Sequence, residues 1–396
     1  VNPPKGAVLP YTGSMHQRTW LTILTLPIVA AFSYPVAFQR AQPAPRAEAP
    51  KSPQDPLSGL SDIQDVLSLV KDNYVDTPDL EKVIAGGIEN ALERAHPLNA
   101  YLTPEELRLP DPGPGHVGLT VIKKTIWAQV VAVAPGSPAD KAGIQVGDVI
   151  RKLDGDSIGA LSPWVLERRL KGPVGSQLHL VNYDSVSGQL KKFDLTRELP
   201  KRSSIAVRKE ARGVVVAIPD LSAGRASELK GILASLDSGV PLVLDLRGCA
   251  GGDLAEAAQV AVQLAAGGPF LTVQEAGKPD RTIATTAAGA PNLPRLAVLQ
   301  GAGTVGAGEG LTAFLKKQAV LTIGERTAGL GVERTRILLK QGGAVELVTR
   351  RWLGAGGEKL DRQGVVPEAA LKGLRADEDP LPKVLEILES KLKKVV

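Results

Sequence analysis

The chain has 396 residues, with 47 Lys and Arg against 42 Asp and Glu and a formal net charge of +5. That length calls for two or three folding units, and 43% hydrophobic residues supply a core for them. The near balance of charge excludes the clustered basic face that nucleic acid needs, the single cysteine, Cys249, excludes an intramolecular disulfide, and four scattered histidines form no metal-ligand motif, so neither metal nor cofactor is expected.

Residues 19–39 carry no charge and follow Arg18 and the only methionine, Met15. The run reaches the roughly 20 residues that span a bilayer. Ala47-Glu48-Ala49 is a poor small-x-small cleavage site, so an uncleaved anchor is expected over a cleaved signal, with the folded part exported to the periplasmic side of the cell envelope. Pro43, Pro45, Pro50, Pro53 and Pro56 forbid helix and sheet. Residues 1–57 therefore read as a membrane segment followed by a semi-rigid tether.

A helical block is expected over 58–110. Ile63, Val66, Leu67 and Val70 recur at helical spacing after the capping candidates Ser61 and Asp62. A second helix, Leu80 to Arg94, follows the Asp76-Thr77-Pro78 turn, and Tyr101 to Glu106 reads as a strand or loop entering a short helix. Pro110, Pro112, Gly113, Pro114 and Gly115 end the block.

Residues 111–200 are β-rich. Gly118 to Ile122, Ala128 to Val133 and Gly147 to Leu153 are strand-like, and between the last two Pro135-Gly136-Ser137-Pro138-Ala139 starts a short helix that ends at Gly143. Asp154-Gly155 makes a tight turn. Ser162 caps a helix whose first position is Pro163 and which stops at Gly172. Gly136-Ser137-Pro138-Ala139, Ala142-Gly143-Ile144, Gly147-Asp148-Val149-Ile150 and Lys171-Gly172-Pro173-Val174-Gly175 together resemble a bacterial PDZ domain. The resemblance implies binding of unstructured peptide or protein C-termini, with His116, Val117, Gly118, Leu119 and Thr120 as the loop that receives the terminal carboxylate. Consecutive free N–H groups make such a concavity, and the peptide backbone adds to the adjacent strand edge.

Over 201–372 short strands alternate with helices, as in a layered α/β unit. Val214 to Ile218, Leu242 to Leu246, Leu296 to Leu299 and Ala319 to Ile323 are the strands; Ser222 to Leu236, Gly251 to Ala265 and a segment ending near Lys317 are the helices. Residues 373–396 form a last helix, docking through Val384, Leu385, Ile387 and Leu388; its apolar end Val395-Val396 is alternatively a ligand for the chain's own PDZ groove.

Gly301-Ala302-Gly303-Thr304-Val305-Gly306 follows a strand, opens a helix and is trailed by Glu325, which meets the form of a dinucleotide fingerprint. A competing resemblance covers 58–390. Leu244-Asp245-Leu246-Arg247-Gly248-Cys249-Ala250-Gly251-Gly252, Gly324-Glu325-Arg326-Thr327-Ala328-Gly329 and Gln363-Gly364-Val365-Val366-Pro367 are similar to motifs of the carboxy-terminal processing (tail-specific) serine proteases. The expected fold is then a helical block, a PDZ domain and a crotonase-like α/β protease core, with the helical block implied as a site of homo-oligomerisation.

The same resemblance implies a serine nucleophile, a lysine base and a nearby glutamine. Aligned through Glu309, these positions hold Gly308, Leu330 and Arg334. Glycine has no hydroxyl and leucine takes no proton, so the nucleophile–base pair is absent. Gly251, Gly252 and the Glu309 N–H are left as a residual oxyanion pocket. The expectation is a degenerate peptidase that holds tails without cutting them, alone or beside an active relative. The alternatives are an active peptidase with a displaced nucleophile, for which Cys249 is the candidate, and a dinucleotide-binding protein.

Overall fold

The computed structural model describes residues 59–183, 188–237, 239–285, 295–371 and 379–392. The expected membrane segment, the tether and Val395-Val396 lie outside these residues, and no described helix is long and apolar enough to cross a membrane. The chain divides into residues 1–68 and 69–396. Helix α1 (Leu60–Asn73) begins in the first unit and buries none of its residues.

The second unit opens with α2 (Leu80–Ala95), capped by Asp79, which accepts from the Lys82 N–H at 3.2 Å. Strand β1 (Ala100–Leu102) and helix α3 (Pro104–Arg108) follow. Thr103 and Glu106 form a reciprocal capping box at the start of α3.

The module after residue 114 consists of β2 (Gly115–His116), β3 (Leu119–Lys124), β4 (Trp127–Val133), α4 (Pro138–Lys141), β5 (Val149–Leu153), β6 (Asp156–Ser157), α5 (Pro163–Arg169), β7 (Lys171–Gly172), β8 (Gln177–Tyr183) and β9 (Leu190–Thr196). Its main sheet runs β3-β4-β5-β8-β9, all antiparallel, and β2 pairs with β7. Alternating residues such as Leu119, Val121, Val130, Leu178 and Leu180 bury one face with Leu166 and Leu170 around α5. Ser162 caps α5 and Pro163 opens it, as the sequence indicates.

The core continues with β10 (Ala206–Glu210), β11 (Gly213–Ala217), α6 (Arg225–Ala234), β12 (Leu242–Asp245), α7 (Leu254–Leu264), β13 (Gly268–Glu275), β14 (Arg281–Thr285), β15 (Leu296–Gln300), α8 (Ala307–Lys317), β16 (Leu321–Gly324), β17 (Val332–Leu338), β18 (Ala344–Gly354), β19 (Ala369–Ala370) and α9 (Leu381–Leu392). One sheet has the order β10-β11-β12-β15-β16-β19, parallel from β11 onward. Val214, Val216, Leu242, Leu244 and Val298 face α6, α7 and α8, while Val215, Val243, Ala297, Leu299 and Ile323 face α9. Both faces are covered, which is why these strands read as continuous apolar runs. Leu381, Val384, Leu385 and Leu388 are at most 4% exposed, so the last helix docks on the core as expected. A second, antiparallel sheet runs β1-β18-β13-β14, with β17 also on β18. Through β1 the helical block joins this sheet, and Asn99 Oδ1 accepts from the Val348 N–H at 2.8 Å.

Candidate functional site

The turn from β15 into α8 is built around two buried polar side chains. Thr304 donates from Oγ1 to the Leu246 carbonyl at 2.7 Å and accepts from the Gly301 N–H at 3.1 Å, pinning the turn to the end of β12. Glu309 is fully buried in the first turn of α8. Its Oε1 accepts from Thr327 Oγ1 at 2.6 Å and from the Gly329 N–H at 2.7 Å. Its Oε2 accepts from the Leu330 N–H at 2.7 Å and from the Gly306 N–H at 3.1 Å. Burial pushes the carboxyl above the usual carboxylate range despite these four donors. One carboxylate oxygen therefore holds Gly306 and Leu330 side by side.

This arrangement changes the reading of the sequence at two points. The Glu309 N–H donates to the Gly306 carbonyl at 2.9 Å, so it is spent inside the turn and does not serve an oxyanion pocket. A Cβ at Gly308 would lie 3.1 Å from the Cys249 carbonyl oxygen and 3.2 Å from its Sγ, inside packed protein. A Cβ at Gly306, which has φ 60°, would meet nothing within 4 Å. Gly251 likewise keeps open space, whereas Gly252 lies against the Leu221 backbone.

Leu330 packs beside Ile122 and Val131 of the β3–β4 hairpin and beside Val305 of the turn. A Cβ at Gly303 would lie 3.0 Å from the Val131 carbonyl oxygen. Arg334 reaches across the same seam, pairing with Glu167 of α5 at 3.0 Å and with Glu346 of β18 at 3.2 Å. Its charge is thus committed to carboxylates of the fold. Lys123 pairs with Glu93 of α2 at 3.0 Å, closing the seam at its far end. In a double-mutant cycle of Arg334→Ala and Glu167→Ala, native-state proteolysis within β3–β4 should report a coupling of about 0.5–1 kcal/mol. Strictly additive effects would mean that the pair does not hold the seam.

Strand β3 has β4 as its sheet neighbour on one side and lies at the sheet's edge on the other. Gly118 at its head has φ 85°, and a Cβ there would fall 2.1 Å from Ser137 Cβ, so only glycine fits the loop. The Val117 carbonyl accepts from Ala139 at 3.0 Å and the Gly118 carbonyl from Ala134 at 2.8 Å. The expected row of free N–H groups is interrupted, because the Gly118 N–H donates to His116 Nδ1 at 2.8 Å. Leu119 is buried and Thr120 exposed. His116, Gly118 and Leu119 line a cavity of about 240 Å³ that continues to Asp220, Gly248 and Ala250 of the core. The loop and the glycine-rich segment after β12 are thereby joined in one space, which the sequence does not reveal.

Cys249 is fully buried, and burial, followed by the charges of Asp220 and Asp245, pushes its thiol up to about 12. A thiol so disfavoured as thiolate is a packing residue rather than a nucleophile. The dinucleotide reading meets a charge conflict, since the Glu309 carboxylate sits at the N-terminus of α8, where a pyrophosphate would need bare N–H groups. The strand order β11-β12-β15-β16 also contains no reversal at which such a ligand binds.

Residues 213–371 match the model of peptidase family S41, and residues 129–181 match that of the PDZ domain. A "Probable CtpA-like serine protease" of Staphylococcus aureus is 26% identical over 317 residues, 78% of this chain and 64% of the relative. The chain thus spans less than two thirds of that relative's length. A "Carboxy-terminal-processing protease" of Bartonella bacilliformis is 26% identical over 335 residues, 81% of this chain and 75% of the relative. The solved structure of a photosystem II D1 C-terminal processing protease superposes with a TM-score of 0.63 at 23% identity, covering 84% of this chain and 97% of that one, and shares the fold.

Proposed function

We propose that this chain, whose core is of the peptidase S41 carboxy-terminal-processing family and whose preceding module is a PDZ domain, binds peptide C-termini without cleaving them. What carries the reading is the pair that Glu309 Oε2 holds together: Gly306 and Leu330, with neither a hydroxyl nor an amine between them. Gly306, rather than Gly308, is the position from which a side chain would reach open space, so it takes the place of the missing nucleophile. Leu330 takes the place of the base and Arg334 that of the glutamine. A glycine–leucine pair cannot form or break an acyl bond.

The peptide adds to the free edge of β3 with its carboxylate toward the loop 116–120. The uncharged run 19–39 favours a membrane-anchored or exported location in the cell envelope. There the chain would shield tails or present them to an active relative.

The test is single-turnover proteolysis with the chain in excess over an unfolded client ending in apolar residues, read as intact mass over a day. A Gly306→Ser, Leu330→Lys variant runs alongside. The expected outcome is intact client recovered in complex with the natural chain. Cleavage that survives repurification would sink the proposal, and its loss in Cys249→Ala would identify the displaced nucleophile.

A further inference from the structure

The terminal-carboxylate loop already holds a hydrogen-bond acceptor of the chain's own. The Gly118 N–H points to His116 Nδ1 at 2.8 Å. A backbone N–H can only donate, so Nδ1 is unprotonated and the imidazole carries its hydrogen on Nε2. In the loop's assigned role that same N–H would bind a peptide carboxylate. The imidazole and an incoming carboxylate compete for one donor.

We propose that His116 is a built-in occupant of the carboxylate loop, released when a solvent proton adds to Nδ1, so that binding of a peptide's free C-terminus is coupled to uptake of one proton. This rests on the reading of the module as a binder of free C-termini. With Nδ1 protonated the imidazole can no longer accept, the Gly118 N–H turns to the ligand, and the imidazolium faces the carboxylate as a second attraction.

The surroundings are arranged for such an exchange. His116 is paired on both sides through its backbone, with Lys171 of β7 and with Glu198 just after β9, so the ring can leave the N–H without the strand moving. Burial first, then the charges of Lys171 and Arg197, hold its imidazolium below the ordinary histidine range. A carboxylate arriving beside the ring opposes all three effects. Glu198 is engaged with Lys141 of α4 at 3.0 Å. Lys201 and Asp220 also line the cavity. Burial raises the Asp220 carboxyl, but hydrogen bonds from Arg225 and Ser222 overcome this and keep it below the usual carboxylate range.

The sign follows from linkage. The free chain gives up the His116 proton at a lower pH than the complex does, so between those two values affinity falls as pH rises, by roughly tenfold per pH unit at its steepest. The probe is a fluorescent decapeptide ending in two valines, compared with its C-terminal amide from pH 5 to pH 8. Calorimetry in two buffers of different ionisation enthalpy counts protons on the natural chain, and His116→Ala is titrated in parallel. Proton uptake on binding, tighter binding of the free acid on acidification, and a flat pH profile in His116→Ala are expected. Free-acid binding with no proton uptake and no pH dependence would overturn the role of His116. Equal binding of acid and amide, or none at any pH, would instead overturn the reading of the loop on which it rests.

Discussion

Glu309→Ala should lower the stability of the core by about 4 kcal/mol, because it strips one buried acceptor from four donors at once. Thr327 Oγ1 still accepts from the Val365 N–H at 2.7 Å, but its own hydroxyl hydrogen, like the N–H groups of Gly306, Gly329 and Leu330, loses the acceptor that Glu309 supplies. For a domain of this size the loss corresponds to a fall in Tm of about 10 °C. Glu309→Gln should recover part of it, since the amide oxygen still accepts while the NH2 meets donors. The pH dependence discriminates further. A carboxyl raised in the folded chain binds its proton more readily there than when unfolded, so stability falls as pH climbs from the ordinary value of 4.5 through the raised one. That descending limb should be absent in Glu309→Gln. A midpoint shift below about 2 °C in Glu309→Ala would show that the two loops are held by packing alone.

Gly252→Ala should cost at least about 3 kcal/mol, from overpacking and a left-handed backbone together. The new Cβ would fall 2.1 Å from the Leu221 carbonyl carbon and 2.2 Å from its oxygen, and these are backbone atoms that cannot rotate away. Gly252 has φ 98° and is bridged to Leu221, where the Asp253 N–H also donates to the Leu221 carbonyl at 3.1 Å. Its neighbour is the control. Gly251 has φ 94° but open space around its Cβ position, so Gly251→Ala should cost only the conformational share, about 1–2 kcal/mol. Equal destabilisation by the two substitutions, measured in urea, would remove the steric argument and with it the assignment of Gly252 to packing.

The parallel strands were legible because burial on both faces leaves an unbroken apolar run, as in Leu242-Val243-Leu244. The second sheet was not. Strand β17 carries Glu333, Arg334, Thr335 and Arg336, which offer no alternation of apolar and polar residues. Cross-strand pairs define it instead: Thr335 with Thr349 at 2.7 Å, Arg336 with Glu346 at 2.6 Å, and Arg350 with Glu333 at 2.8 Å. These partners lie 14, 10 and 17 residues apart in sequence, and only the register of the β17–β18 hairpin brings them together. At the site, motif order located the turn and the loop, but not the direction of a single Cα–Cβ bond. That direction separates Gly308, which points into Cys249, from Gly306, which points into space. The donor role given to the Glu309 N–H failed for a similar reason, because the side chain and not the backbone of that residue does the joining.

The PDZ module is an insertion: β1 before it pairs with β18, and β10 after it pairs with β11, so both of its ends are fastened to the core. Leaving the seam is therefore a unimolecular event. The short connections keep the module at an effective concentration of about millimolar with respect to its own seat. Contacts as few as two ion pairs, Arg334–Glu167 and Lys123–Glu93, and a few apolar side chains, too weak to join two separate proteins, can then decide how often it sits down. A peptide carried on β3 would return to the same core many times before it dissociates, and its residence there would be set by rebinding statistics rather than by any single contact.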